Sequence, residues 1–390
     1  MNPSNGAPRV ALLVNLVAPY RVAFYDEIAR YLDLAVLYSG HEDNRVGWEQ
    51  ADRCLERAKA RRVWGWVLKR KRKRPDGPPG GAPQWDVRYL HISPGYAAAL
   101  VRYRPAAIVS CEMGLRTLVA LGYGLLSGIP VWVMVESSLH TERHLGLLRP
   151  LVRATIARLA RRWIAVGACT TEYLASLGVP ASRVTTIQNT VDERPFRGAE
   201  RLPRAPDEKP VALYVGQLVA RKGVGQLLDA LATLTREGTG LGLVIAGDGP
   251  DRRELEARAR ELKLPDVTFL GQCSTEQVAE LLTRATFLVF PTLEDVWGLV
   301  VNEALWSGLP VLGSRYAGCA AELLPATNIF DPLDHDSFVG ALSQAAAGGL
   351  APADRTPLWP TAMAARRVAE AVLGTLGSPI PEPFGAATTS

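Results

Sequence analysis

Arg221 and Lys222 stand side by side ahead of Gly223, on the stretch that leads from an apolar run ending at Gly216 into a helical pattern. A cationic pair on a glycine-containing loop suits a phosphate or diphosphate, and the free N–H groups of the following helix add positive potential. Taken alone, such a pair is more often a solvated turn. Further on, Pro291–Ala304 carries two acids, Asp295 and Glu303, eight residues apart. This spacing puts Asp295 in a loop that follows an apolar strand, and Glu303 about one turn into the next helix. Gly298 lies between them, lets the backbone approach a ligand closely and leaves the helix start open to an anion. Both carboxylates can then accept hydrogen bonds from sugar or ribose hydroxyls. An acid at a helix start often only offsets the helix dipole; Glu303 fits that role less well, because it lies deeper in an apolar stretch. Ile245-Ala246-Gly247-Asp248-Gly249-Pro250 reads as a close strand-to-helix connection without the GxGxxG spacing of a dinucleotide site. His140 and His144 flank Glu142, but the glutamate is wrongly placed for HExxH and no third ligand is evident, so no metal is expected.

The elements that must position these residues follow from the apolar pattern. The chain has 390 residues, 48% of them hydrophobic, with 35 Gly and 28 Pro, which allows two large domains with packed cores and many turns. Short apolar runs at Val10–Leu16, Leu34–Tyr38, Ala107–Val109, Val131–Val135 and Trp163–Val166 alternate with helical stretches. The alternation resumes at Val211–Val215, Leu241–Ala246, Val267–Leu270, Phe287–Phe290 and Val311–Gly313. It predicts an α/β protein of two Rossmann-like domains, with parallel sheets facing across a cleft where strand ends and helix starts would meet a ligand. The expected division is 1–190, a proline-containing linker at 191–209, 210–358, and a last helix with a tail at 359–390 that can pack back on the first domain.

Thr117–Val135 is nineteen residues long without a charge, enough for a membrane span. Ser127-Gly128-Ile129-Pro130 interrupts it, as Ser307-Gly308-Leu309-Pro310 interrupts the corresponding later stretch, and both read as helix, turn and strand. The polar start Met1–Pro8 does not read as a secretory leader. Five scattered cysteines without a CxxC pair fit a reducing, cytoplasmic setting.

Charge is unevenly spread. Residues 1–190 hold 26 Lys/Arg against 14 Asp/Glu, a net of +12, and residues 191–390 hold 18 against 25, a net of −7. Arg53–Arg74 alone contains eleven cations and one acid, and Trp64, Trp66, Val67 and Leu68 abut its last run. An apolar patch beside a polycation suits anionic lipid headgroups, and a solvated loop explains the composition equally well. No zinc-finger, RRM or helix-turn-helix pattern supports nucleic-acid binding.

Gly216 with Arg221-Lys222-Gly223, then Gly247-Asp248-Gly249-Pro250, Phe269-Leu270-Gly271, Asp295–Glu303, Ser307-Gly308-Leu309-Pro310-Val311 and Gly318…Glu322 occur in the order found in family 4 glycosyltransferases of the GT-B fold. The resemblance is strong from Val211 to about Asp336. Elsewhere it is loose, and the opening Ala18-Pro19-Tyr20-Arg21 resembles bacterial members that build surface glycans. It implies transfer of a sugar from a nucleoside-diphosphate donor to a glycan or lipid-linked acceptor, with retention of configuration and no cofactor. Arg221 and Lys222 would grip the diphosphate in place of a metal ion, Glu303 would bind the donor ribose, and Asp295, where the family usually has Glu, would hold the sugar. Gly298 and Leu299 would offer N–H groups, and Leu270-Gly271-Gln272 would line the base. Tyr20 and Arg21 are acceptor-side candidates. Glu136 stands where many members place His; it would contact the sugar or help deprotonate the acceptor, or serve only as a strand-end residue. The expected location is cytoplasmic, peripheral on the inner face of the membrane. A sugar-nucleotide epimerase of the same architecture and a non-catalytic membrane- or polyanion-binding adaptor remain as alternatives.

Overall fold

A computed structural model describes residues 6–40, 48, 50–73, 85–143, 148–198, 201 and 208–379. They form two compact units, the first made of the described residues up to 192 together with 360–379 and the second of those between 193 and 359.

The first unit contains β1 (Arg9–Val14), β2 (Asp33–Tyr38), β3 (Lys59–Arg62), β4 (Trp66–Lys73), β5 (Trp85–Ile92), β6 (Ala107–Cys111), β7 (Val131–Val135), β8 (Arg162–Val166) and β9 (Val184–Ile187). Seven of these make one parallel sheet in the order β3-β2-β1-β6-β7-β8-β9. Its helices are α1 (Val22–Ile28), α2 (Gly95–Tyr103), α3 (Leu115–Ser127), α4 (Leu139–Glu142), α5 (Leu148–Leu159) and α6 (Ala168–Ser176). Strands such as β1 and β7 are buried over nearly their whole length, which is why they read as unbroken apolar runs instead of alternating ones.

The uncharged stretch 117–135 folds as most of α3, a left-handed Gly128 at φ 71° and β7. No helix among the described residues is long and apolar enough to cross a membrane.

The end of the basic stretch differs from the loop expectation. Trp66–Lys73 is a strand, paired antiparallel with β5 in a separate two-stranded hairpin. An alternating apolar pattern does not mark it, since Lys69–Lys73 is all charge. Arg74 and the following Pro75–Pro83 lie outside the described residues.

The second unit holds β10 (Val211–Val215), β11 (Gly242–Ala246), β12 (Val267–Gly271), β13 (Phe287–Phe290), β14 (Val311–Ser314) and β15 (Ile329–Phe330), all parallel, in the order β12-β11-β10-β13-β14-β15. Helices α7 (Val224–Arg236), α8 (Arg252–Glu261), α9 (Thr275–Arg284), α10 (Leu299–Trp306), α11 (Ala320–Leu323) and α12 (His335–Ala346) connect and cover it. The core joins Leu227, Leu228, Leu231 and Leu234 of α7 to Leu243 and Ile245 of β11 and Phe338 of α12. Ser274 opens α9 with a capping box to Gln277, and the Asp334 carboxylate accepts the Ser337 N–H at 3.1 Å to start α12.

Helix α13 (Thr361–Leu376) belongs to the first unit. It packs on α1 and buries Ala364, Ala365, Val368, Val372 and Leu373, while the Thr361 hydroxyl donates to the Val191 carbonyl at 2.6 Å. The end of the tail, 380–390, lies outside the described residues.

Both sheets reverse direction of growth once, between β1 and β6 in the first unit and between β10 and β13 in the second. Such switch points leave a crevice at the strand carboxyl ends where ligands bind.

Candidate functional site

In the second unit the candidate residues gather at the switch point. The loop after β10 holds Arg221 and Lys222 on one tight turn, and the loop after β13 holds Asp295. Backbone groups lace the two loops together. The Leu293 N–H donates to the Arg221 carbonyl at 2.8 Å and the Glu294 N–H to the same oxygen at 3.3 Å. The buried Thr292 hydroxyl adds a third bond to that oxygen at 3.2 Å, and Arg221 Nη1 donates to the Glu294 carbonyl at 3.2 Å. Lys222 Nζ forms an ion pair with Asp295 Oδ2, the two side chains being 12% and 16% exposed. The same ammonium lies 5.4 Å from the centre of the Phe290 ring.

The loop after β14 secures Asp295 from another side, with the Asp295 N–H donating to the Tyr316 carbonyl at 3.3 Å and the Gly318 N–H to the Asp295 carbonyl at 3.1 Å. Burial acts to raise the Asp295 pKa, but Lys222 and Arg221 outweigh it and hold the carboxyl below its usual range. The arrangement is a fixed carboxylate beside two fixed cations. An ammonium has three N–H donors, so Lys222 can serve Asp295 and a phosphate oxygen together.

Gly298 starts α10 at φ 101°, and a Cβ there would fall 2.5 Å from the Phe290 ring, so backbone conformation and space both exclude a side chain. Leu299 is the first residue of α10 and Glu303 lies one turn on, half-buried. Burial pushes the Glu303 carboxyl up to about 7. Gly216 is held at the loop start by its N–H to the Ala246 carbonyl at 3.0 Å. Leu270, Gly271 and Gln272 stand at the end of the edge strand β12, with Leu270 exposed and the Gly271 carbonyl accepting the Gly247 N–H at 2.7 Å.

The raised pKa makes stability depend on the ionisation of Glu303. The folded state holds this proton to higher pH than the unfolded chain, whose glutamates titrate near 4.3, so the folded state loses stability as pH rises from about 4.3 and the loss is complete above about 7. Glu303→Gln is therefore expected to melt like the wild type near pH 4 and roughly 7–15 °C higher at pH 8. Parallel melting profiles across this range, followed by circular dichroism, would show that the carboxyl is not held in this way.

In the first unit Arg21 is buried after the loop that follows β1, and its guanidinium pairs with Glu136, the residue after β7. Tyr20 is exposed and meets Trp48 edge-on at 5.6 Å, while Arg21 lies 5.5 Å from the centre of the Phe24 ring. Two residues here were not singled out from the sequence. Arg116, buried in the first turn of α3, donates through Nε to the Cys111 carbonyl at 3.0 Å and through Nη1 to Asn15, so it ties the loop after β1 to the end of β6. In the sequence it reads only as the flank of an apolar run. Glu112 takes the left-handed conformation at φ 70°, and burial raises its carboxyl despite Arg116 and Arg153. Only its backbone geometry sets it apart.

Among the described residues no group of three His, Cys, Asp or Glu side chains could hold a metal ion. His140 lies on α4 beside Arg143, and His144 is outside the described residues.

Residues 200–353, which include all the candidate donor-side residues, match the family of glycosyl transferases group 1. That match lies within the second unit and spans less than half of the chain. The alpha-D-kanosaminyltransferase of Streptomyces kanamyceticus is 30% identical over 209 residues, covering 49% of this chain and 54% of that protein. The chain spans about half the length of the curated relatives it matches. Among solved structures, the apo lipopolysaccharide outer core galactosyltransferase WaaB superposes with a TM-score of 0.69 at 18% identity, over 94% of this chain and 99% of that one. Anabaena Alr3699/HepE in complex with UDP-glucose gives 0.65 at 16% identity, over 95% and 99%. These neighbours show the GT-B fold, with its two parallel α/β sheets, for this chain.

Proposed function

We propose that the protein is a glycosyltransferase that moves a sugar from a nucleoside-diphosphate donor to a glycan or lipid-linked acceptor, with retention of configuration and without a metal ion. The observation that carries this reading is the contact between Lys222 and Asp295, with Arg221 beside them, at the switch point of the group 1 domain. Departure of the nucleoside diphosphate leaves negative charge on the phosphates. In this reading Arg221 and Lys222 stabilise that charge as it develops, and the N–H groups that open α10 at Gly298 and Leu299 add to the field. Asp295 accepts hydrogen bonds from the transferred sugar, and its pairing with Lys222 couples sugar position to diphosphate position. Ionised Glu303 accepts two ribose hydroxyls, while Gly216 and Leu270-Gly271-Gln272 border the nucleoside.

On the first unit, Tyr20 and Arg21 take the acceptor, with Glu136 contacting the sugar or the attacking hydroxyl. The ion pair between Arg21 and Glu136 supports treating them as one group. The protein works in the cytoplasm at an anionic membrane surface, to which the basic stretch Arg53–Arg74 would bind. That HepE is complexed with UDP-glucose supports the donor class by likeness of fold.

Incubation of the full chain with a panel of sugar nucleotides and cytoplasmic-membrane extract tests the reading. The expected result is a glycosylated product whose anomeric configuration, read by NMR, matches that of the donor. Isomerised donor in the absence of acceptor, or a product of inverted configuration, would overturn it.

A further inference from the structure

The last turn of α3 leaves apolar surface uncovered: Leu125 and Leu126 are 82% and 90% exposed, and Leu159 at the end of α5 is exposed as well. Beside this turn the first unit contains an open cavity of 740 Å³, within the roughly 300–1,000 Å³ of small-ligand sites. Its walls come from Leu121 and Leu125 of α3, Ile129 of the following turn, Leu159 of α5 and Leu376 of α13. Arg161 and Arg162, where α5 passes into β8, complete the lining, and Thr375 is its single neutral polar side chain. Among the described residues neither guanidinium has a hydrogen bond or an ion pair.

The cavity lies at the first residues of the neighbouring parallel strands β7 and β8, Val131 and Arg162. Arg21 and Glu136 stand at the other end of β7, so the cavity opens on the opposite edge of this sheet from them.

Arg161, Arg162 and Thr375 give polar contacts at one side only, so the leucine and isoleucine walls suit a hydrocarbon chain better than a sugar ring, whose hydroxyls point to all sides. A hydrocarbon chain ending in an anion matches both the apolar trough and the cations at its rim. The geometry points to a binding site for a long-chain anionic amphiphile, its alkyl chain along Leu121, Leu125, Ile129 and Leu376 and its phosphate or carboxylate at Arg161 and Arg162. The site is separate from the donor-side residues of the second unit, and binding there does not require that sugar transfer take place.

Gly122 supplies a probe of the trough itself. It lines the cavity within α3, and a Cβ built on it meets nothing within 4 Å. Gly122→Trp would fill the space and remove a glycine from a helix interior, while Arg161→Glu with Arg162→Glu would reverse the rim charge.

The test is calorimetric titration of the full chain with dodecyl phosphate below its micelle concentration, with dodecanol and inorganic phosphate as controls and circular dichroism to confirm the fold. Saturable binding of one molecule per chain is expected, at least tenfold weaker in both variants, with each control at least tenfold weaker than dodecyl phosphate. Co-sedimentation with phosphatidylglycerol vesicles that is lost in the variants would name a bilayer lipid as the source; dodecyl phosphate binding without such sedimentation would name a free amphiphile. Unaltered affinity in either folded variant, or no saturable binding, would overturn the proposal.

Discussion

Lys222→Ala is expected to destabilise the second unit by about 3 kcal/mol, because it leaves the Asp295 carboxylate in a largely enclosed position without its counter-charge. For a unit of this size that amounts to a fall in melting temperature of roughly 6–12 °C. The same variant should lose most of the thermal stabilisation that a nucleoside diphosphate confers, since ligand linkage scales with affinity for the folded state. A double-mutant cycle separates the two effects. Lys222→Ala combined with Asp295→Ala removes the stranded charge, so the double variant should recover part of the stability lost in Lys222→Ala while still failing to respond to nucleotide. If the double variant is as unstable as the sum of the two single ones, the residues do not act as a pair.

Gly223→Ala should be more damaging than its size suggests. Gly223 adopts φ 72°, and a Cβ there would fall 1.9 Å from the Pro291 carbonyl oxygen, a backbone atom that cannot swing aside. The left-handed conformation costs an L-residue about 1–2 kcal/mol by itself, and relieving the clash requires the two loops of the switch point to part. Their separation would break the Leu293 and Glu294 bonds to Arg221 and carry the cations away from Asp295. A loss of at least 3 kcal/mol, with loss of nucleotide binding, is therefore expected in melting curves with and without ligand. Gly225→Ala is the control: it lies in the first turn of α7, a Cβ there meets nothing within 4 Å, and exchange of a helical glycine for alanine is worth about 0.5–1 kcal/mol of added stability. Equal effects at the two positions would mean that the approach of the loops is not tight.

Much of this frame was legible from apolar runs. Val211–Val215 and Val131–Val135 are strands with the bounds the runs suggest, because strands buried on both faces cannot afford polar interruptions. Strand β4 was not, since its second half Lys69–Lys73 is a run of charge with no alternation, whereas β5 does alternate Trp85, Val87 and Tyr89 with Asp86 and Arg88 and was readable but not singled out. Arg221, Lys222, Asp295 and Glu303 were each recognisable as candidates by type and position. Their pairing was not, for Lys222 and Asp295 are 73 residues apart and meet only because β10 and β13 are neighbours in the sheet. The contacts of Arg21 with Glu136 and of Arg116 with Asn15 arise in the same way, from strand order in the first unit, which no local spacing encodes.

The cations at 221 and 222, held against the acid at 295, are expected to bind the diphosphate of a sugar donor. Calorimetric titration of the full chain with UDP, GDP and dTDP, in buffer without divalent metal, measures that binding. At least one of the three should bind saturably, and Arg221→Gln with Lys222→Gln should abolish this binding at a temperature where circular dichroism shows the variant folded. Binding of equal strength by that variant, or no binding of any of the three by the wild type, would contradict this expectation.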